Sequence, residues 1–513
     1  MSGIWTDGYI TEVEYTSSFY RELTPAVLTQ SATVQSVEPP AIDKPFNYLE
    51  LGCGNGVSAC VLAAANPNGR FYANDFNPTH VLNGLRLAED GGLGNVTFLE
   101  KSFAELLETD LPDFDFITMH GVISWVNAKN LATIVELIRR KLKPGGLVYV
   151  SYNTMPGWAV AAPLQRLFES YEKQLKGTLA QRIDQCIALM DRLCTEKARF
   201  FAANPATGVW LENLKKQERA YLAHEYLCGT WTAFYSADVH AALAEAKLSF
   251  VGSANLIENY EDVSVPAPLR QLTRETTDPA MREMLNDFLL NRQFRRDIFV
   301  RGGTRINPQR QRELHMQARF ALVRHRDDCP LQTTAGGSAV KLDDPVFPPV
   351  LDLLTEQPRS VVEMVGHPAT AKFGASSILR AVMTLASLNY AQICLPAAGE
   401  AERRASADRF NNAVIGRMIT GQMPRYLASP VLGSGVYLDP MNAMLLTALR
   451  SGQDAEPFIL GRLKALGQSI LRDGQPIADA AEAQREVAKR VEEGQAKVLP
   501  LLRSLGIAQG RPA

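Results

Sequence analysis

Cysteine is sparse and scattered in this chain: seven residues (Cys53, Cys60, Cys186, Cys194, Cys228, Cys329, Cys394), with no C-x-x-C pair. An odd count without paired spacing argues against a disulfide framework and a structural zinc site, and fits a reducing compartment. Long apolar runs are missing too, since none approaches the ~20 residues of a membrane-spanning helix. Residues 1–7 lack the basic and then apolar character of a signal peptide. A cytoplasmic protein with no membrane insertion is expected. An excess of one charge is also absent. Lys and Arg number 53 against 55 Asp and Glu, a net charge of -2 that gives no support for nucleic acid as partner. What remains is 46% hydrophobic residues in a 513-residue chain, long enough for two or three domains.

The most informative stretch is residues 48–56, YLELGCGNG. Asn47, Tyr48, Leu49 and Leu51 make a short buried strand, and Gly52, Gly54 and Gly56 turn it into a helix beginning near Val57. A parallel strand ending in glycines is where an α/β domain leaves its ligand crevice. The spacing is G-x-G-x-G, with Gly56 one residue short of the third glycine of a dinucleotide site. Glu50 stands just ahead of it. A carboxylate there is awkward for a pyrophosphate and suits a ligand with an ammonium group, such as S-adenosylmethionine. Cys53, inside the loop, reads as a small space-filler.

Other contacts follow in order. Asp75 closes the run RFYAND, 23 residues after Gly52, near the spacing of ~20 that a βαβ unit needs for an acid on ribose hydroxyls. Phe76 adjoins it, and Asn77-Pro78 is a turn and helix start. A third strand, residues 96–99, leads to Lys101, Ser102 and Phe103, where an adenine ring would lie against Phe103. A fourth, residues 114–119, ends at His120-Gly121. Lys143-Pro144-Gly145-Gly146 then breaks a helix before the strand 147–151. Alone, each piece has a plainer reading: a glycine turn, a helix cap at Asp75, a loop. Their joint order points to a methyl-donor site built from Glu50, Gly52, Gly54, Gly56, Asp75, Phe76, Ser102, Phe103 and His120, with no metal.

Around this core the chain divides into four expected segments. Residues 1–158 hold the donor-binding core with an aromatic-rich N-terminus (Trp5, Tyr9, Tyr15, Phe19, Tyr20) that either packs on the sheet or caps the donor. Residues 159–235 are helical by apolar spacing and read as an inserted lid. Residues 236–329 complete the sheet through strands at 248–252 and 297–300, and 287–296 read as a basic amphipathic helix with a solvated face. A flexible linker at 330–340 precedes a mainly helical segment, 341–513. Weak internal similarity there, between 344–354 and 439–446 and between 385–392 and 502–509, has two readings, a pair of winged-helix-like modules or chance likeness among Leu/Ala-rich helices; the segment reads as a recognition or dimerisation domain.

With those residues in place, the chain resembles bacterial class I methyltransferases that carry a methyltransferase regulatory domain, and among them the lysine methyltransferases of outer-membrane proteins. The resemblance rests on residues 14–16, 20–25 and 49–56, on HGVISWV at 120–126, on VSYNTMPGW at 150–158, and on HEYL at 224–227. It covers about the first 300 residues. Ser102 departs from it, standing where many class I enzymes have an acid. The resemblance implies a Rossmann-like sheet with a helical insertion and S-adenosylmethionine as cofactor. It further implies a protein lysine as acceptor, in a substrate met before export or outer-membrane insertion, and a homodimer. Transfer to lysine requires loss of a proton near pKa ~10.4, which an apolar aromatic channel favours. Trp125, Tyr152, Trp158, Tyr15 and Tyr226 are candidate channel residues, and His120 a candidate proton relay. A methyltransferase of small molecules or glycans, and a non-catalytic donor-binding scaffold, are the alternatives.

Overall fold

The computed structural model describes residues 17–335, 338–472 and 474–508. Its centre is a seven-stranded sheet: β1 (Phe46–Leu51), β2 (Gly69–Asp75), β3 (Val96–Glu100), β4 (Phe114–Met119), β5 (Leu142–Asn153), β6 (Leu248–Ser253) and β7 (Phe294–Arg301). The order is β3-β2-β1-β4-β5-β7-β6, with β1 to β5 parallel and β7 antiparallel to both β5 and β6. The strand order reverses between β1 and β4, so the ends of these strands open the crevice where an α/β sheet takes its ligand. Helices α1 (Pro25–Val34), α2 (Val57–Ala65), α3 (Pro78–Asp90), α4 (Phe103–Leu107) and α5 (Ala128–Lys141) precede β5. Pro25 at the start of α1 and Pro78 at the start of α3 occupy positions where a missing N–H costs nothing.

Between β5 and β6 run α6 (Ala162–Glu172), α7 (Leu179–Thr195), α8 (Arg199–Ala203), α9 (Ala206–Lys215), α10 (Arg219–Tyr226) and α11 (Ser236–Ala244). Helices α6 to α10 enclose an apolar core of their own, in which Phe168, Met190, Leu211 and Tyr226 are buried. Trp158 and Tyr226 belong to this core, with ring centroids 6.2 Å apart, so neither forms a channel wall.

Residues 287–296 are not a solvated basic helix. Helix Pro279–Leu290 stops at Asn291 and β7 begins at Phe294. Arg295 is 1% exposed. Its Nε donates to Asp297 at 2.9 Å, one terminal nitrogen to Asp287 at 2.6 Å and the other to Glu283 at 2.7 Å. Two of the three acids that neutralise Arg295, Glu283 and Asp287, lie on the preceding helix, a pairing that basic spacing along the chain does not reveal. Tyr152 is drawn into the same network. It is fully buried in the sheet, its hydroxyl donating to Asp297 at 2.7 Å, which removes it from the acceptor channel expected from sequence.

The expected linker at 330–340 is a pair of antiparallel strands, with Gln332 opposite Lys341 and Thr333 opposite Val340. Beyond it, helices Phe347–Glu356, Gly374–Ser387, Glu400–Met418, Pro440–Arg450 and Ala480–Glu493 dominate. The two similar segments share a helix-ending turn. Asn389 and Gly506 both take positive φ (57° and 74°), and the next N–H in each bonds back to Leu385 or Leu502. This region is not set apart from the core: a single apolar cluster runs from Phe46, Cys60 and Leu62 to Phe410, Leu427 and Leu505.

Replacing Arg295 with Met strands two buried carboxylates, which costs about 3–5 kcal/mol. Denaturant unfolding should show that loss. An unchanged midpoint would mean the three acids do not depend on Arg295.

Candidate active site

At the end of β1 the backbone turns through Gly52, Gly54 and Gly56, all with positive φ (65°, 53° and 70°). A Cβ on Gly52 would lie 2.7 Å from Val122, and one on Gly56 2.4 Å from Phe98, so the turn tolerates no side chain at either place. Asp75, at the end of β2, accepts from Gly54 N and Asn77 N, both at 2.9 Å, and lies 3.3 Å from His80. Its carboxylate is thereby fixed beside the glycine turn.

Two cavities meet here. The smaller, about 30 Å³, is lined by Ser18, Tyr20, Glu50, Gly52, Asn55 and His120, among others. Glu50 is 4% exposed and its Oε2 has no hydrogen-bond partner among the described residues. Burial, and then the nearby Asp75, push its pKa up to about 8. A buried acid with an empty acceptor fits an incoming ammonium group. The larger cavity, about 150 Å³, passes Asp75, Phe76, Ser102, Phe103, His120 and Gly121, and continues to Trp125, Tyr221 and Glu225. Residues suited to an adenosine thus lie at one end and an aromatic, acidic wall at the other. Ser102 is less available than expected. Its hydroxyl sits 2.8 Å from Glu105 Oε2 and caps α4.

His120 lines both cavities. Its ring stacks on Tyr20 with centroids 3.8 Å apart, and Nδ1 lies 2.9 Å from the Tyr149 hydroxyl and 3.2 Å from Ser151 Oγ. Burial, more than the opposing pull of Glu22, lowers its pKa to about 4. Burial also holds Tyr149 protonated. The Tyr149 and Ser151 hydroxyls can each donate or accept, so they hold Nδ1 in either ring tautomer. His120 therefore makes a poor proton acceptor, contrary to the relay expected from sequence, and stays a neutral ring at the junction.

Of the expected channel residues, Trp125 is in place, its Nε1 donating to His224 O at 3.1 Å. Tyr15 lies outside the described residues. Three residues that line or shape the site went unassigned from sequence: Asn153, Tyr221 and Glu225. Glu225 belongs to the HEYL string already singled out, but only the folded lid turns it into the cavity. Among the described residues no group of His, Cys, Asp and Glu is placed to hold a metal ion, and no helix is long and apolar enough to cross a membrane.

The sheet order, glycine turn and paired acids define a class I S-adenosylmethionine-dependent methyltransferase. Residues 42–232 match the model of a methyltransferase domain, and residues 218–301 that of a predicted methyltransferase regulatory domain. The uncharacterized protein sll1526 of Synechocystis sp. is 38% identical over 504 residues, spanning 98% of this chain and 100% of that protein. The chain belongs to this family of methyltransferases with a regulatory domain. Uncharacterized protein RP789 of Rickettsia prowazekii is 28% identical over 300 residues, 58% of this chain and 53% of that protein. In fold the chain is similar to PKMT2 from Rickettsia typhi, solved in complex with AdoHcy. The TM-score is 0.71 at 17% identity, over 96% of this chain and all of that one.

Because Glu50 must lose a proton to meet the donor's ammonium, donor affinity should rise by up to about tenfold per pH unit as pH approaches about 8. Glu50→Gln should remove that slope and weaken binding by roughly 10- to 150-fold, the worth of a hydrogen bond to a charged group. Calorimetry across pH reads both. A wild-type affinity flat with pH would place the ammonium elsewhere.

Proposed function

We propose that the protein transfers a methyl group to the ε-amine of lysine in a protein substrate. The observation that carries this reading is the continuity of the larger cavity, which leads from the donor turn directly to an aromatic wall of Trp125 and Tyr221. When bound, S-adenosylmethionine supplies a methyl carbon on a sulfonium, open to in-line attack by a nucleophile. Glu50, Asp75 and the glycine turn would hold the donor, with Phe76 and Phe103 available to its adenine; His120 lines both cavities and Tyr20 the smaller one. The aromatic wall receives the acceptor. Indole and phenol faces attract an alkylammonium, while an apolar surround favours its neutral, nucleophilic form. Positioning the two reactants in line, with water excluded, lowers the barrier without covalent help from the protein. A long, thin, unbranched side chain suits such a cavity, and resemblance to lysine methyltransferases of outer-membrane proteins supports a protein as its bearer.

Purified protein incubated with methyl-labelled donor and size-fractionated bacterial lysate tests this directly. Label in discrete protein bands, recovered as methyl-lysine, is the expected result. Label confined to the small-molecule fraction would sink the reading. Trp125→Ala should raise the acceptor KM about 3- to 30-fold, the range for a desolvated cation–π contact, with donor affinity unchanged within about twofold.

A further inference from the structure

Glu225 is the one carboxyl on the acceptor side of the cavity among its described lining residues; Asp75 lies at the donor end. It sits near the end of α10, 7% exposed, and Asn153 Nδ2 donates to its Oε1 at 3.1 Å. Asn153 is itself held, its backbone N–H donating to Ser124 Oγ at 2.9 Å, and it ends β5 beside the turn that carries Trp125. The carboxyl is therefore fixed by the rigid sheet although it belongs to the lid. Its neighbours on α10, Leu222, Ala223 and Tyr226, fill the apolar lid core.

From this geometry we propose that Glu225 is the catalytic base that takes the proton from the acceptor ammonium. The inference rests on the amine reading above. One N–H bond of the ammonium breaks, its proton passing to a Glu225 oxygen and its electron pair remaining on nitrogen. That pair then forms the new N–C bond to the donor methyl, while the C–S pair stays with sulfur, leaving a neutral thioether. The protonated carboxyl returns its proton to solvent before the next transfer.

Electrostatics agree with the geometry. Burial raises the Glu225 pKa to about 7, partly opposed by hydrogen bonding from Asn153 and Trp231. Tyr221, His224 and Tyr226 accompany it on α10, Cys228 follows in the next turn, and Asn153 faces it from β5; no cation is among the causes of its shift. An acid near 7 is matched to proton acceptance at neutral pH, whereas His120, near 4, is not. Since the pKa is raised, the group is protonated and inactive below about 7 and competent above it.

The test uses the full chain, labelled donor and unfractionated bacterial lysate protein, with methyl-lysine counted after hydrolysis. With donor saturating at every pH, wild-type kcat/KM for the acceptor should climb about tenfold per pH unit up to about 7 and then level. Glu225→Gln should lower kcat roughly 100-fold or more, within the range for general-base loss, with donor affinity and thermal midpoint kept. Glu225→Asp should recover part of the rate. Full activity in the Gln variant, or a wild-type profile flat through pH 7, would overturn the role of Glu225 and leave the lysine reading standing. Label on oxygen, sulfur or carbon instead of nitrogen would overturn both.

Discussion

Helix α2 is buried at all nine of its positions, Val57 to Ala65, and this lack of any solvent face is the constraint on which the rest of the structure depends. A helix apolar all round must be covered on every side. One side packs on the sheet. The other is covered by helix Glu400–Met418 and by the hairpin of strands Tyr426–Ser429 and Ser434–Tyr437. Small residues, four of them alanine, let both layers approach closely. Because α2 starts at Gly56, the donor turn is anchored by a helix that the C-terminal half holds in place. The catalytic fold and the C-terminal half are thus one packed unit at this point, joined also by the Arg417–Asp90 ion pair.

The same junction extends along residues 17–24. Phe19 lies against Gly435 and Tyr426, Tyr20 against His120, Arg21 against Asn389, and Thr24 against Ser434. A short segment therefore touches the donor cavity on one side and the C-terminal half on the other. Of the aromatics expected either to pack or to cap, the two among the described residues differ: Phe19 packs against Tyr426 and Tyr20 lines the smaller cavity.

Two buried carboxyls give the site its electrical character. Glu50 lies at the donor end and Glu225 at the acceptor end, each pushed upward mainly by burial, to about 8 and about 7. A carboxyl in an apolar surround costs less to bury neutral than charged. Arrival of an ammonium beside either one supplies the charge that desolvation otherwise forbids. His120 between them stays neutral for the same reason, so proton traffic falls to the carboxyls. By contrast, Asp297 in the regulatory region is held at about 2: burial would raise it, but Arg295 and His240 outweigh that. Arg295 and its acids tie the regulatory region together, while Glu50 and Glu225 line the site away from any such arginine.

What the sequence determined by itself was local and periodic. Alternating strands and helices, the glycine turn, and the acids at the ends of β1 and β2 are all set by neighbours along the chain. Gly52, Gly56, Glu50 and Asp75 were legible because backbone geometry at a strand end restricts which residues fit. What only the tertiary structure decided was which side chains face one another. Tyr152 and Arg295 looked available until Asp287 and Asp297, on separate elements, claimed them. Glu225 looked like an ordinary lid residue until α10 folded back over β5 and set it beside Asn153. Burial is a property of the assembled layers, and burial is what moves His120 down and Glu225 up. Residue order fixed where a ligand could sit; packing fixed which groups there can carry a proton.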